Sequence, residues 1–397
     1  MVAERGEPRA RHAPPAPGLR DAAGGRLAYP VWVGAGALDR LGPVVAAAAP
    51  AHRYAIVTDE TVAARHGARA AAALAPHVDA APLIIAVPPG EAHKTRDTWA
   101  RVTDELLAAG YGRDTTIVAL GGGVVGDLAG FVAATYLRGV PVVQAPSTLL
   151  AMVDASVGGK TAVDTPAGKN LVGAFHPPAA VLVDPTLLGT LPPADLAAGA
   201  AEALKHGVIA DARHFGDAAA LLPALASGAA AGDPAVLDGL ARVVADSVAI
   251  KAAVVAEDPR EHGRRKTLNL GHTVGHAVEL AAGYRIRHGE AVAIGMVAEC
   301  DIAERMGLAE PGTAARVRAA CRAGRLPTAL PAGIAPDAVL AATRGDKKAR
   351  GGRVEYALPA RVGAMVEADG RWAVRVDDAV VLDVLAALRA PDAEAAP

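Results

Sequence analysis

From residue 29 onward the chain alternates short, uninterrupted apolar runs with longer stretches of helical period. Residues 29–36 predict an opening strand ending in a glycine turn. The runs at 53–58 (RYAIVT), 82–87 (PLIIAV), 115–120 (TTIVAL) and 140–145 predict further strands. Helices are predicted at 64–75, at 95–109, and from the glycine-rich 121–127 through 137. The strands are apolar throughout rather than alternating, the pattern of a parallel sheet covered on both faces. Near residue 188 the texture changes. Segments 193–205, 234–256, 273–282, 290–306 and 311–323 carry Ala/Val/Leu runs with charges at helical intervals, which predicts helix packed on helix. The expected organisation is an α/β unit at 28–188 and a mainly helical unit at 189–389. Residues 1–27, rich in Arg, Pro and Gly, and residues 390–397 read as flexible extensions. No internal repeat is visible.

Composition narrows the picture. A chain of 397 residues is long enough for two domains with real cores. Hydrophobic residues make up 52% but aromatics only 3%, so the cores are built from Ala, Val and Leu. Forty basic against 42 acidic residues, a net charge of -2, argue against a nucleic-acid or membrane-surface footprint. No apolar run is long enough to span a bilayer, and the amino-terminal stretch lacks the apolar core of a secretion signal. Cys300 and Cys321 are too few for a disulfide framework or a thiolate zinc site and read as buried small residues; a reducing cytoplasm fits.

The richest chemistry lies at 268–290, LNLGHTVGHAVELAAGYRIRHGE. His272 and His276, four apart, share one face of a helix, a common start to a zinc site. His288 is expected in a glycine-bounded turn that returns a third nitrogen to the first two. A lone histidine would read as an ordinary polar position; three so close, beside Asn269 and Glu290, favour a metal or proton-transfer site. Spacing leaves open which two bind metal. Glu202 and Lys205, three apart in an apolar helix, are directed into a cleft more readily than onto the surface, and Glu202 completes a Glu/His/His set.

Gly121, Gly123 and Gly126 fit G-x-G-x-x-G directly after a strand and before a helix, the context for a dinucleotide pyrophosphate at a helix amino terminus. Glu91 and Lys94 follow the preceding strand. Gly159-Lys160-Thr161 resembles a P-loop, but Asp154 stands where its first glycine belongs, which excludes that reading. Lys160, Lys169 and Asn170 beside glycine-rich backbone still suit a phosphate or carboxylate. Lys251, Arg265 and Asn269 add cationic and amide donors, and Asp346, Lys347, Lys348 and Arg350 form a later charged turn.

Taken in order, PPGEAHK, GGGVVGDLAGF, ATYLRG, PSTLLAMVDASVGGK, GKNLVGAFHPP, TLPPADLAAGAAEALKHG, RRKTLNLGHTVGH, HGEAVAIGM and DKKARGG resemble the 3-dehydroquinate synthase family. The resemblance implies a Rossmann-like NAD-binding domain followed by a mainly α-helical metal-binding domain, with the site in the cleft. It implies zinc or cobalt held by Glu202, His272 and His288, with His276 as a proton-transfer residue. NAD contacts are implied for Asp59, Pro89, Gly90, Glu91, Lys94, Gly122, Gly123, Val124, Gly126, Asp127, Ser147, Thr148, Leu187 and Thr190, with Lys160 and Lys169 near cofactor and substrate. Asp154, Lys205, Lys251, Arg265 and Asn269 match substrate-contacting positions. Lys160, Asn170 and one of Lys347 or Lys348, taken to be Lys348, are implied for the phosphate, and Arg138 matches an arginine lent across a homodimer interface. The implied reaction converts 3-deoxy-D-arabino-heptulosonate 7-phosphate to 3-dehydroquinate and phosphate by transient oxidation, elimination, reduction and aldol closure.

The chain departs from the family pattern at Ala162 and Asp164, at Ala194 and Asp195, at His206 and at Ser147. Three other readings stand beside this one. A sister sugar-phosphate cyclase is disfavoured by Lys169, Asn170, Asn269 and His276, and a polyol dehydrogenase by the phosphate-type lysines. A non-catalytic nucleotide-binding protein leaves Glu202, His272 and His288 unexplained.

Overall fold

The structure, a computed structural model, describes residues 16–228, 233–344, 354–368 and 370–389. It divides into two compact units. The first runs to Leu191 and takes in Leu240–Ala256; the second comprises Pro192–Gly239 and the chain from Glu257 onward.

The strands of the first unit are β1 (Arg20–Asp21), β2 (Val31–Val33), β3 (Arg53–Asp59), β4 (Leu83–Val87), β5 (Thr115–Gly121), β6 (Val142–Pro146), β7 (Lys160–Thr165), β8 (Gly168–Phe175) and β9 (Ala180–Val183). Seven form one sheet in the order β1-β2-β9-β6-β5-β3-β4. All neighbours are parallel except β1 on β2. Every residue of β5 and β6 is buried, which is why these strands read as unbroken apolar runs. From β3 the chain crosses to β4 at one edge, returns to β5 on the other side of β3, and continues to β6. The direction of winding reverses between β3 and β5, so their carboxyl ends form the crevice where such sheets take ligands.

Helices α1 (Leu41–Ala48), α2 (Glu60–Val62), α3 (Ala68–Leu74), α4 (Arg96–Ala108) and α5 (Gly123–Thr135) cover the sheet. The Thr95 side chain accepts from the Thr98 N–H and starts α4. Val102 and Leu106 of α4 and Leu128 and Val132 of α5 close over Val57, Ile85 and Ile117 in one buried cluster. Gly130 lets α5 lie against the β7/β8 hairpin, since a Cβ there would fall 2.4 Å from Thr161 Cγ2.

Three expectations change. Residues 16–27 are not a flexible extension: Arg20 and Asp21 pair with Val33 and Trp32, and Ala16, Leu19, Ala23 and Leu27 are buried. The Asp21 carboxylate fixes the turn by accepting from Ala23, Gly25 and Val31 N–H groups. Residues 160–175, for which no strand was expected, form the antiparallel β7/β8 hairpin. Strand β9, not anticipated, joins β2 to β6.

The second unit holds α6 (Pro193–Ala210), α7 (Ala212–Ser227), α9 (His272–Ala281), α10 (His288–Arg305), α11 (Thr313–Ala323), α12 (Pro336–Arg344) and α13 (Asp378–Ala387); α8 (Pro234–Glu257) begins in it and runs on into the first. Small residues let these helices approach closely. Gly207 of α6 would put a Cβ 2.5 Å from Phe215 Cα of α7. Asp211, in an extended conformation, ends α6 and caps α7 by accepting from Arg213 and His214 N–H groups. Cys300 and Cys321 are free and buried; burial pushes the Cys321 thiol up to about 12 and Cys300 also upward. Among the described residues no helix is long and apolar enough to cross a membrane.

Candidate active site

In the second unit three helices meet at Glu202. It lies on α6 and is fully buried; every residue from 196 to 209 of that helix is buried. Its Oε1 is 3.4 Å from His272 Nε2 and 3.3 Å from His288 Nε2. Its Oε2 pairs with the buried ammonium of Lys205, one turn on. His272 is the first residue of α9 and His288 the first of α10. His288 therefore does not sit in a turn, as expected from His-Gly-Glu. It opens a helix whose start is set by Glu290, which accepts from the Arg287 N–H at 3.0 Å.

Close packing brings these helix ends together. A Cβ on Gly289 would lie 1.9 Å from Ala198 O of α6, and one on Gly295 would lie 2.0 Å from Gly271 O at the entry to α9. Only glycine allows either approach.

Each of the two imidazoles has an oxygen acceptor at Nδ1. His272 Nδ1 is 3.0 Å from Leu270 O, an acceptor only, so Nδ1 carries the hydrogen and Nε2 presents its lone pair toward Glu202. His288 Nδ1 is 3.3 Å from Glu279 Oε2, which likewise places a hydrogen on Nδ1 and leaves Nε2 facing Glu202. Burial, helped by Lys205, holds His272 down to about 3, so it is neutral. Burial also pulls on His288, but the carboxylates of Glu202 and Glu279 outweigh it and push it up to about 9. One carboxylate oxygen and two imidazole nitrogens, all within 4.8 Å of one another, fit a divalent cation of the zinc type. His276 lies beside them, its ring centroid 5.2 Å from that of His272 and 5.8 Å from that of His288. With Glu279 and His288 it forms a second group of donors at similar range.

In the first unit, Gly121, Gly122 and Gly123 stand where β5 gives way to α5, and no side chain caps that helix. A Cβ on Gly121 would lie 2.6 Å from Val125 Cβ, and one on Gly126 2.8 Å from Gln144 Oε1. The glycines thus let the turn close tightly and leave a helix amino terminus suited to an anion. Val124 is in its first turn. Asp59 ends β3, and its carboxylate caps the next turn through the Val62 N–H. At the end of β6 the Ser147 N–H donates to Gly121 O at 2.9 Å, and Thr148 Oγ1 accepts from the Ala151 N–H. Leu187 and Thr190 share the turn Pro185–Thr190, closed by Thr190 Oγ1 donating to Leu187 O.

Pro89 and Gly90 lead into a turn, with Gly90 at φ 105°, that brings Glu91 to Lys94. Lys94 Nζ, nearly buried, lies 2.8 Å from Glu91, 3.3 Å from Asp127 and 3.8 Å from Asp164. Burial opposes a charged lysine, but the three carboxylates hold it above its ordinary value. Burial pushes Asp127 up to about 6 against the pull of Lys94, and raises Asp164 as well. Asp164 is one of the departures from the family pattern, and its effect is a third carboxylate on Lys94.

Of the remaining predicted residues, Asp154 and Lys251 meet, with Nζ 2.8 Å from Oδ1. Arg265 is buried and donates to Pro259 O. Asn269 Nδ2 donates to Glu261 at 2.8 Å. Lys160 is exposed at the start of β7, and Lys169 is half-buried on β8. Asn170, at φ 54°, donates its N–H to Asp164. Arg138, at φ 73°, is exposed after α5. Lys347 and Lys348 lie outside the described residues. The sequence reading passed over Glu279 and Glu261. Glu279 shares the polar side of α9 with His276 three residues before it, a signal that was available. Glu261 adopts φ 62°, a conformation that no local pattern announces.

A glycine turn at the reversal point of a parallel sheet, and a carboxylate with two oriented imidazoles in a helical unit, are together the signature of a dinucleotide- and metal-dependent enzyme. The chain belongs to the 3-dehydroquinate synthase family. The family's N-terminal model matches residues 84–198 and its C-terminal model residues 199–349. It is 48% identical over 344 residues to 3-dehydroquinate synthase from Symbiobacterium thermophilum, covering 86% of this chain and 94% of that one. Among solved structures, it is similar to 2-epi-5-epi-valiolone synthase from Streptomyces hygroscopicus subsp. jinggangensis with NAD+ and Zn2+ bound (TM-score 0.80, 32% identity, 91% of this chain and 97% of that one). It is also similar to a 2-deoxy-scyllo-inosose synthase complexed with carbaglucose-6-phosphate, NAD+ and Co2+ (TM-score 0.75, 29% identity, 85% and 90%).

Proposed function

We propose that the chain is a 3-dehydroquinate synthase, a lyase of aromatic amino-acid biosynthesis that converts 3-deoxy-D-arabino-heptulosonate 7-phosphate to 3-dehydroquinate and phosphate. The observation that carries the reading is Glu202 flanked by two oriented histidine Nε2 atoms, in a chain 48% identical to a 3-dehydroquinate synthase and 32% and 29% to the sister cyclases.

Bound NAD+ would supply a reversible oxidation of the substrate C5 hydroxyl, and a zinc or cobalt ion would supply Lewis acidity. Glu202, His272 and His288 would hold the cation. Lys205 fixes the other Glu202 oxygen and offers a cation to the substrate. The amino terminus of α5 receives the pyrophosphate. Asp59, Pro89, Gly90, Glu91, Lys94, Asp127, Ser147, Thr148, Lys169, Leu187 and Thr190 surround the rest of the cofactor. The His276 imidazole carries the proton removed before phosphate leaves. Asp154, Lys251, Arg265 and Asn269 orient the substrate, and Lys160, Asn170 and Lys348 hold its phosphate, which converts binding energy remote from the reacting carbons into alignment. Arg138 completes this set in a homodimer. The exposed apolar side chains Leu171, Val172 and Phe175 of β8 support such self-association. A cytoplasmic location accords with two free, buried cysteines.

The test is a product assay on protein given NAD+, zinc or cobalt, and the heptulosonate phosphate, with phosphate and NADH both followed. Phosphate release with 3-dehydroquinate formed and no net NADH is expected. Turnover only on another heptulose phosphate would move the chain to a sister branch, and accumulating NADH with a polyol would make it a dehydrogenase.

A further inference from the structure

Glu299 lies on α10 and is fully buried, far along that helix from His288. Its carboxylate faces the start of α9. Oε2 accepts from the Gly271 N–H at 2.6 Å and Oε1 from the Val274 N–H at 3.2 Å. These are the N-cap and third-position donors of α9, which has no side-chain cap of its own. A carboxylate from a neighbouring helix thus does the work of a capping box, in the position where the positive end of α9 favours a negative charge.

We infer that Glu299 is a positioning residue for the metal ligand His272. The peptide group that donates to Glu299 through the Gly271 N–H is the same one whose carbonyl, Leu270 O, accepts from His272 Nδ1 at 3.0 Å. A carboxylate on the N–H end draws charge onto the carbonyl end. The carbonyl then accepts more strongly from Nδ1, and Nε2, the atom facing Glu202, becomes the better donor to a cation. The same two bonds fix the rotation of the Leu270–Gly271 peptide and hence the aim of the ring. Glycines make the reach possible: a Cβ on Gly295 would strike Gly271 O at 2.0 Å and Gly275 N at 2.8 Å, so α9 enters directly against the α10 backbone.

The inference rests on the reading of His272 as a metal ligand, and the experiment separates the two. Metal-free full-length protein is titrated with Zn2+ against a chelator, and the visible spectrum of the Co2+ form is recorded, for E299Q, V297A and H272A. The amide of E299Q keeps one acceptor and turns its NH2 on the other N–H. Zinc affinity is expected to fall about 10- to 100-fold, with a shifted cobalt spectrum. V297A, at a buried apolar position on the same helix, is expected to lower Tm while leaving zinc affinity within about twofold of the parent. Parental affinity and spectrum in E299Q would overturn the inference. So would an equal loss of zinc in V297A, which would make Glu299 one more contributor to general stability. Parental zinc affinity in H272A would instead overturn the ligand assignment itself. If E299Q does not fold, Glu299→Asp, which keeps the charge but withdraws both oxygens, carries the same test.

Discussion

Replacing Gly289 by alanine adds one methyl group next to a candidate ligand and touches no ligand directly. That methyl would lie 1.9 Å from Ala198 O, 2.5 Å from Ala198 C and 2.7 Å from its Cα. An ordinary carbon–oxygen contact is about 3.3 Å, so α10 and α6 must separate by more than about 1 Å at this point. The obstacle is backbone on both sides, and no side chain can swing away. Ala198 stands one turn before Glu202, and Gly289 directly follows His288. The separation therefore acts on the 3.3 Å approach of His288 Nε2 to Glu202 Oε1. Metal–ligand distances tolerate only about 0.2 Å. Both groups cannot remain ligands, and zinc affinity should fall on the order of 100-fold or more, beyond the usual effect of an outer partner. Overpacking should also cost roughly 1 to 3 kcal/mol of stability. The assay is chelator competition on metal-free protein, with thermal unfolding in chelator alongside. Gly216→Ala is the control: it is an exposed position within α7 where an added Cβ meets nothing within 4 Å. It should stabilise by about 0.5 to 1 kcal/mol and leave zinc affinity unchanged. Parental zinc affinity and Tm in Gly289→Ala would refute the claim that the α6/α10 approach builds the site.

His276→Ala should retain zinc and NAD+ affinity but lose most turnover, on the order of 100-fold or more, whereas His272→Ala should lose zinc; equal zinc loss in the two would remove the proton-transfer role. In protein without cofactor, the Asp127 carboxyl should titrate near the value of about 6 set by its burial, and carboxyl chemical shifts measure it. Its folded value lies above the ordinary 3.8, so the stability it contributes is full below about pH 4 and is lost as pH rises through about 6. Asp127→Asn should flatten the denaturation profile across that window, and an unchanged slope would contradict the assignment.

Much of this was legible from local pattern alone. The apolar runs at 53–58, 82–87 and 115–120 became β3, β4 and β5 because a strand buried on both faces has no polar side to display. The glycine turn at 121–127 and the two histidines one turn apart on α9 were legible for the same reason: each is set by backbone sterics or helical period within a few residues. Where the signal was long-range, sequence reasoning stopped. Arg20 and Asp21 look like part of a loose Arg/Pro/Gly leader, and become a strand only because β2 offers them an edge. The second part of α8 has the same Ala/Val/Leu texture as the helices of the second unit, and only its packing assigns Leu240–Ala256 to the first. Spacing left three histidines equivalent. Glu202, some 70 residues earlier in the chain, distinguishes them, because its Oε1 is 3.4 Å from His272 Nε2 and 3.3 Å from His288 Nε2. The sequence by itself thus determined the elements with a clear local period, such as β3, β4, β5 and the helices, and the residue types grouped around Glu202, since these follow from local period and side-chain class. Only the tertiary structure decided which ring nitrogens face Glu202, and which buried glutamate caps the start of α9, because those depend on the glycine-permitted approach of helices far apart in the chain.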